Sequence, residues 1–78
     1  MMIEVLFFAG LQEAVGESKI TVEDKNITVK QLKEKLLKTY ELPHINQAMI
    51  AINEEYATDD TMIENGDTVA FIPPVSGG

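Results

Sequence analysis

The sequence predicts a small α+β domain in which one amphipathic helix crosses one face of a mixed sheet. Three observations predict it. Apolar stretches of strand length stand near both ends of the chain, a capped helical pattern stands between them, and further short strands separated by turn residues follow the helix. At 78 residues the chain makes one domain. A domain of this size buries somewhat over ~60% of the surface its unfolded form exposes, which leaves little room for an internal active site.

Residues 2–8 are aliphatic and aromatic apart from Glu4, a run too short for a buried helix, and form the first strand. Period-two geometry puts Ile3, Val5 and Phe7 on one face and Glu4, Leu6 and Phe8 on the other. Phe8 is then either a contact residue or a filler under the following loop. Residues 9–16 hold Leu11, Ala14 and Val15 between two glycines, which fits a single helical turn closed by Gly16 as a left-handed cap. Residues 18–23 alternate, with Ile20 and Val22 apolar between Lys19, Thr21 and Glu23. They read as an edge strand antiparallel to the first, followed by the turn residues Asp24, Lys25 and Asn26.

The helix is predicted over residues 28–40. Thr28 and Gln31 form a capping box, and Ile27 with Leu32 supplies the hydrophobic staple. Val29, Leu32, Leu36 and Tyr40 recur on one face with Leu37 alongside, while Lys30, Lys33, Glu34 and Lys38 take the other. The four lysines from Lys30 to Lys38 are therefore expected on a solvated face rather than in a basic binding patch. Leu42-Pro43 ends the helix.

Residues 49–52 read as a strand, Asn53-Glu54-Glu55 as a turn and Tyr56-Ala57 as a two-residue return. Asn65-Gly66-Asp67 is a turn before the last strand, residues 68–72, which buries Val69 and Phe71 and turns Ile72 away from the core. The long connection through the helix lets the first and last strands lie adjacent and parallel. This order is the β-grasp, or ubiquitin-like, arrangement, a mixed sheet of four to five strands crossed by one main helix. Phe8, Tyr56 and Ile72 are expected on one side as an exposed apolar patch, of the kind that marks a protein interface.

Six Lys plus Arg against thirteen Asp plus Glu give a formal charge of −7. That argues against a nucleic-acid backbone or an anionic membrane as partner. It suits a basic protein partner, or serves solubility alone. The chain has no cysteine, so no disulfide, no Cys metal site and no thiol-borne cargo is available, and a cytoplasmic location is expected. No run approaches the ~18 apolar residues of a membrane span, and no basic segment precedes an apolar one at the N-terminus, so neither insertion nor secretion is expected. The single histidine, His44, has no ligating company and is assigned no role. Asp59, Asp60 and Glu64 read as caps or solvated surface, with nothing to fix the geometry of a hard cation, so no metal site is expected.

The functional signal is the end of the chain. Strand pairing stops by Pro73, because proline lacks the N–H for a sheet ladder, and Pro73-Pro74 favours a stiff extended conformation. The chain accordingly divides into a folded body, residues 1–72, and an extended C-terminal tail, residues 73–78. The tail Pro73, Pro74, Val75, Ser76, Gly77 and Gly78, at roughly 3.3 Å per residue, carries the terminal carboxylate about 20 Å from the last strand. Gly77 and Gly78 have no side chains, so they suit a channel that admits only backbone. The Gly78 carboxylate would then be the reactive group. An α-carboxyl of pKa near ~3.5 is ionised at neutral pH and a poor electrophile, so it needs activation before it can be loaded. The chain contains no base, metal site or phosphate loop to do this, so the catalytic side chains belong to partners.

The run from Val5 through Phe7-Phe8-Ala9-Gly10-Leu11 to Gly16, the Asn65-Gly66-Asp67 turn and the ending Val69-Ala70-Phe71-Ile72-Pro73-Pro74-Val75-Ser76-Gly77-Gly78 together resemble the MoaD/ThiS sulfur carriers. Within that family the Pro-Pro-Val-x-Gly-Gly ending looks like the small subunits of molybdopterin synthase. The resemblance covers essentially the whole chain; a basic residue common in the family near Gln12 is absent here. It implies a non-catalytic carrier that binds no cofactor itself. An E1-like adenylating enzyme would use ATP to adenylate Gly78, and a persulfide donor would replace AMP to leave a thiocarboxylate. The tail would then enter the large subunit of molybdopterin synthase and give its sulfur to cyclic pyranopterin monophosphate, two deliveries building the dithiolene. The family also implies a heterotetramer of two small and two large subunits. Other readings are a ubiquitin-type protein modifier, a thiamin-pathway carrier, and a plain interaction module whose tail is frayed.

Overall fold

A computed structural model describes residues 2–24, 26–42 and 45–73. The expected tail from Pro74 to Gly78 lies outside the described residues, as do Lys25, Pro43 and His44. In chain order the elements are β1 (Met2–Phe7), α1 (Ala9–Val15), β2 (Lys19–Glu23), α2 (Val29–Leu37), a 3₁₀ turn (Ile45–Gln47), β3 (Met49–Ile52), β4 (Glu55–Ala57) and β5 (Thr68–Ile72). The five strands form one sheet in the order β2-β1-β5-β3-β4. β1 and β5 run parallel at its centre, and the other pairs are antiparallel. This is the β-grasp arrangement.

Register decides which residues share a face. Val5 lies opposite Val69 and Phe7 opposite Phe71, Ile50 opposite Phe71, and Ile3 opposite Val22. These residues, with Val29, Leu32 and Leu36 of α2, form the buried core. At its centre the Phe7 and Phe71 rings stack with centroids 6.0 Å apart and planes 15° from parallel. Burying each such side chain contributes roughly 1.5–3 kcal/mol. The opposite face carries Glu4, Leu6, Ala51, Tyr56, Ala70 and Ile72, as alternation requires.

α1 runs seven residues, about twice the expected single turn, before Gly16 closes it at φ 88° with its N–H bonded to the Gln12 carbonyl. It buries Leu11. α2 begins as expected: the Thr28 hydroxyl accepts from the Gln31 N–H at 3.2 Å, and the Gln31 side chain accepts from the Thr28 N–H at 2.9 Å. Its other first-turn donors are met from far along the chain. Val29 N–H bonds the Thr61 carbonyl and Lys30 N–H the Asp59 carbonyl, both at 3.0 Å. The helix ends at Leu37 rather than at Tyr40, because Lys38 and Thr39 turn their N–H groups to carbonyls three residues back and tighten the last turn.

Two expectations for α2 are corrected. Leu37, placed beside the apolar stripe, is exposed, and Lys33, placed on the solvated face, is only 4% exposed. The buried positions are Val29, Leu32, Lys33 and Leu36, so Lys33 sits within the stripe, four residues after Val29. Its stem packs inward, and its ammonium meets Asp59 Oδ1 at 2.6 Å. Asp59 thus ties the loop before β5 to the helix twice, through its carboxylate and its carbonyl. Asp59→Ala leaves a buried ammonium without its partner and is expected to cost about 1–3 kcal/mol. Thermal melting checks this, and Asp60→Ala serves as the control.

Candidate functional site: the open face of the sheet

β1 ends at Phe7, but the alternation continues one residue further. Phe8 is still extended, at φ −125° and ψ 153°, and its carbonyl receives the Leu11 and Gln12 N–H groups that start α1. Because Phe7 faces the core, the Phe8 ring is left on the open face, 44% exposed. Ala9, at φ 49°, then reverses the chain. Phe8 therefore belongs to the sheet surface, not to packing under the loop.

Tyr56 reaches the same face from the other side. β3 and β4 are joined by Asn53 and Glu54 at φ 52° and 71°, the two-residue turn whose twist matches a hairpin. β4 is three residues long, one more than expected, and pairs Tyr56 with Ala51. Ala51 in turn lies opposite Ala70, and Ala70 beside Leu6. The floor of the face is thus two small side chains, with Tyr56, 76% exposed, standing at one margin. Leu6, Phe8, Ala70, Ile72 and Tyr56 line an open groove of about 660 Å³, and Asn53, Glu54 and Thr68 close its other end.

The groove is graded. At its polar end the Asn53 side chain donates to Asp67 Oδ1 at 2.9 Å and accepts from the Thr68 N–H at 3.1 Å, which fixes the turn beside Glu54. At its apolar end Ile72 lies across from Met49, itself 47% exposed, and next to Phe8. Pro73 follows Ile72 directly and lies outside the strand. The chain therefore leaves the body at the apolar end of the groove. Phe8, Tyr56 and Ile72, separated by most of the sequence, are brought to one surface by the β4-β3-β5-β1 order. Alternation along each strand already set Leu6 beside Phe8 and Ala70 beside Ile72; Met49, Ala51 and Glu54 were not picked out from the sequence, and pairing register places them here.

Glu54 occupies a left-handed conformation that asparagine and glycine adopt more readily. Glu54→Gly is expected to stabilise the fold by about 0.5 kcal/mol, the relief of strain being partly offset by glycine's entropy in the unfolded chain. A rise of about 2–4 °C in the melting temperature checks it.

The sheet order and the open face at the root of the C-terminal segment define a ubiquitin-like β-grasp protein. Comparison with known proteins narrows this. The ThiS family model matches residues 5–78. The molybdopterin synthase sulfur carrier subunit of Arabidopsis thaliana is 38% identical over 79 residues, covering 97% of this chain and 82% of that protein. Among solved structures, SAMP1 from Haloferax volcanii superposes with a TM-score of 0.81 at 28% identity over the full length of both chains. A chain in the complex of subunits 1 and 2 of the molybdopterin-converting factor from Helicobacter pylori gives 0.72 at 28% identity, again over both full lengths. This chain belongs to the ThiS family.

Among the described residues no helix is long and apolar enough to cross a membrane.

Proposed function

We propose that this chain is the sulfur-carrier subunit of a molybdopterin synthase and acts through the Gly78 carboxylate. The observation that carries the reading is the placement of the open groove at the point where β5 gives way to Pro73. A partner that grips the groove holds the start of the tail within its own reach, so the body serves as a handle and the last residues as the delivered group. The full-length similarity to molybdopterin synthase sulfur carrier subunits supports the choice of cargo.

In this reading residues 1–72 are the body and Pro73, Pro74, Val75, Ser76, Gly77 and Gly78 the inserted tail. A Gly78 carboxylate oxygen attacks the α-phosphorus of ATP in an E1-like adenylating enzyme, releasing pyrophosphate and forming an acyl adenylate. A persulfide sulfur then replaces AMP, and a second thiol of the partner attacks the resulting acyl disulfide, which releases the Gly78 thiocarboxylate and leaves a disulfide on the partner. In the large synthase subunit the thiocarboxylate sulfur bonds to cyclic pyranopterin monophosphate, and water cleaves the acyl C–S bond so that Gly78 leaves as the carboxylate. This chain's contribution is recognition. Phe8, Tyr56 and Ile72 supply apolar contact area, and Glu54 at the polar end faces a basic residue of the partner, in keeping with the charge of −7. Absence of cysteine removes an internal thiol that would compete for the activated glycine.

Intact mass spectrometry tests it. Incubation with the adenylating enzyme, ATP and a sulfur donor should raise the mass by the difference between one sulfur and one oxygen, and an unchanged mass sinks the proposal. The likeness to SAMP1 supports a second reading, a protein modifier whose glycine ends on a lysine. Covalent adducts on other proteins, in place of a thiocarboxylate, would select it.

A further inference from the structure

We infer that β2 is a self-association edge, through which two copies of this chain pair antiparallel about a two-fold axis at Thr21. β2 ends the sheet order on the side away from the groove, so among the described residues one side of its main chain faces no further strand. Which groups face outward follows from the ladder. Phe7 lies opposite Ser18 by the β1–β2 register, and its N–H bonds the Ser18 carbonyl at 2.9 Å, which marks a hydrogen-bonded pair. Bonded and non-bonded pairs alternate in an antiparallel ladder. Ile20 and Val22 therefore direct their N–H and carbonyl groups to β1, and Lys19, Thr21 and Glu23 direct theirs outward. The Glu23 carbonyl already reaches beyond the sheet, accepting from Lys35 Nζ at 3.1 Å, and retains a second lone pair.

A second copy of β2 laid antiparallel with Thr21 opposite Thr21 sets Lys19 opposite Glu23 at both ends. All three of these are pairs whose main-chain groups point outward, so each can exchange two hydrogen bonds. The side chains agree with the same register. Lys19, Thr21 and Glu23 are exposed, and opposite charges directly across a strand pair attract. Lys19 contacts Glu4 Oε1 at 3.2 Å within its own chain and has further N–H donors for the second copy's carboxylate. A parallel alignment would set Lys19 against Lys19 and Glu23 against Glu23, which repel. Charges on an edge strand usually prevent pairing. Here their order is self-complementary, so they exclude other registers and permit one.

The interface is five residues long and each copy carries −7. The dimer is accordingly weak and transient, formed at high concentration and at an ionic strength that screens the long-range repulsion. It leaves the groove and the end of β5 uncovered, because β1 stands between β2 and β5. It is independent of the sulfur-carrier reading.

Sedimentation equilibrium from micromolar to millimolar concentration at physiological ionic strength tests it, with amide hydrogen exchange of residues 19–23 as the local readout. The wild type should approach twice the one-chain mass, with slowed exchange at Lys19, Thr21 and Glu23. Thr21→Pro removes an outward N–H that β1 does not use, so the fold should persist, by circular dichroism, while association is lost. Lys19→Glu and Glu23→Lys should each stay monomeric alone and associate when mixed in equal amounts, since the mixture restores both charge pairs. A wild type that stays monomeric at millimolar concentration overturns the inference. So does a Thr21→Pro variant that associates as the wild type does, or a charge-variant mixture that fails to recover. Sulfur loading should be unchanged in the Thr21→Pro variant, which separates a failure here from a failure of the carrier function.

Discussion

Gly77→Val is expected to leave the fold untouched and to lower sulfur loading or delivery by at least ~100-fold, the scale on which misplacing a reacting group acts. The reason lies in the tail's composition. Two terminal residues without side chains suit a passage that admits only main chain, and a β-branched residue at 77 both widens the chain and stiffens its backbone. Among the described residues the sheet ends at Ile72 and the core at Phe71, so stability should change by less than ~0.5 kcal/mol. Thermal melting and intact mass after a loading reaction measure the two quantities separately. Normal loading together with normal transfer would remove the narrow-passage argument.

Phe71→Ala should have the largest effect on stability, about 3–5 kcal/mol. Phe71 is fully buried between β1 and β3, in register with Phe7 on one side and Ile50 on the other, and its ring stacks on Phe7 at 6.0 Å. Since a domain has only ~5–15 kcal/mol of net stability, this one truncation should leave much of the chain unfolded near physiological temperature. Its neighbour gives the opposite pattern. Ile72 faces the groove half-buried. Ile72→Ala should cost about 1 kcal/mol of stability but weaken binding to the large subunit or the adenylating enzyme by at least ~10-fold. Urea melts and titration calorimetry of the two variants side by side would decide whether adjacent residues divide fold and function in this way.

Local chemistry was legible in the chain. The Thr28–Gln31 capping box, the Gly16 cap and the strand limits around residues 49–52 and 68–72 stand where their residue types place them. Each depends on neighbours within a few positions. Lys33 shows where such reading stops. Judged by charge it belongs outside, but its position within the α2 stripe and an acid 26 residues further on hold it inside. Asp59 carries no sign in the sequence that its carboxylate and carbonyl both serve a helix so far away. The end of α2 also moved inward, since the bonds that tighten its last turn involve no residue type that announces them.

The sequence by itself determined the class of fold and raised the expectation of an extended ending whose terminal carboxylate is the reactive group. Those follow from periodicity, from proline's missing N–H and from glycine's missing side chain, all properties of single residues or short windows. The tertiary structure alone decided that Ala51 and Glu54 share a groove with Phe8, Tyr56 and Ile72. Cross-strand register is set by the packing of the whole sheet, and a slip of one position would turn every one of these side chains to the other face.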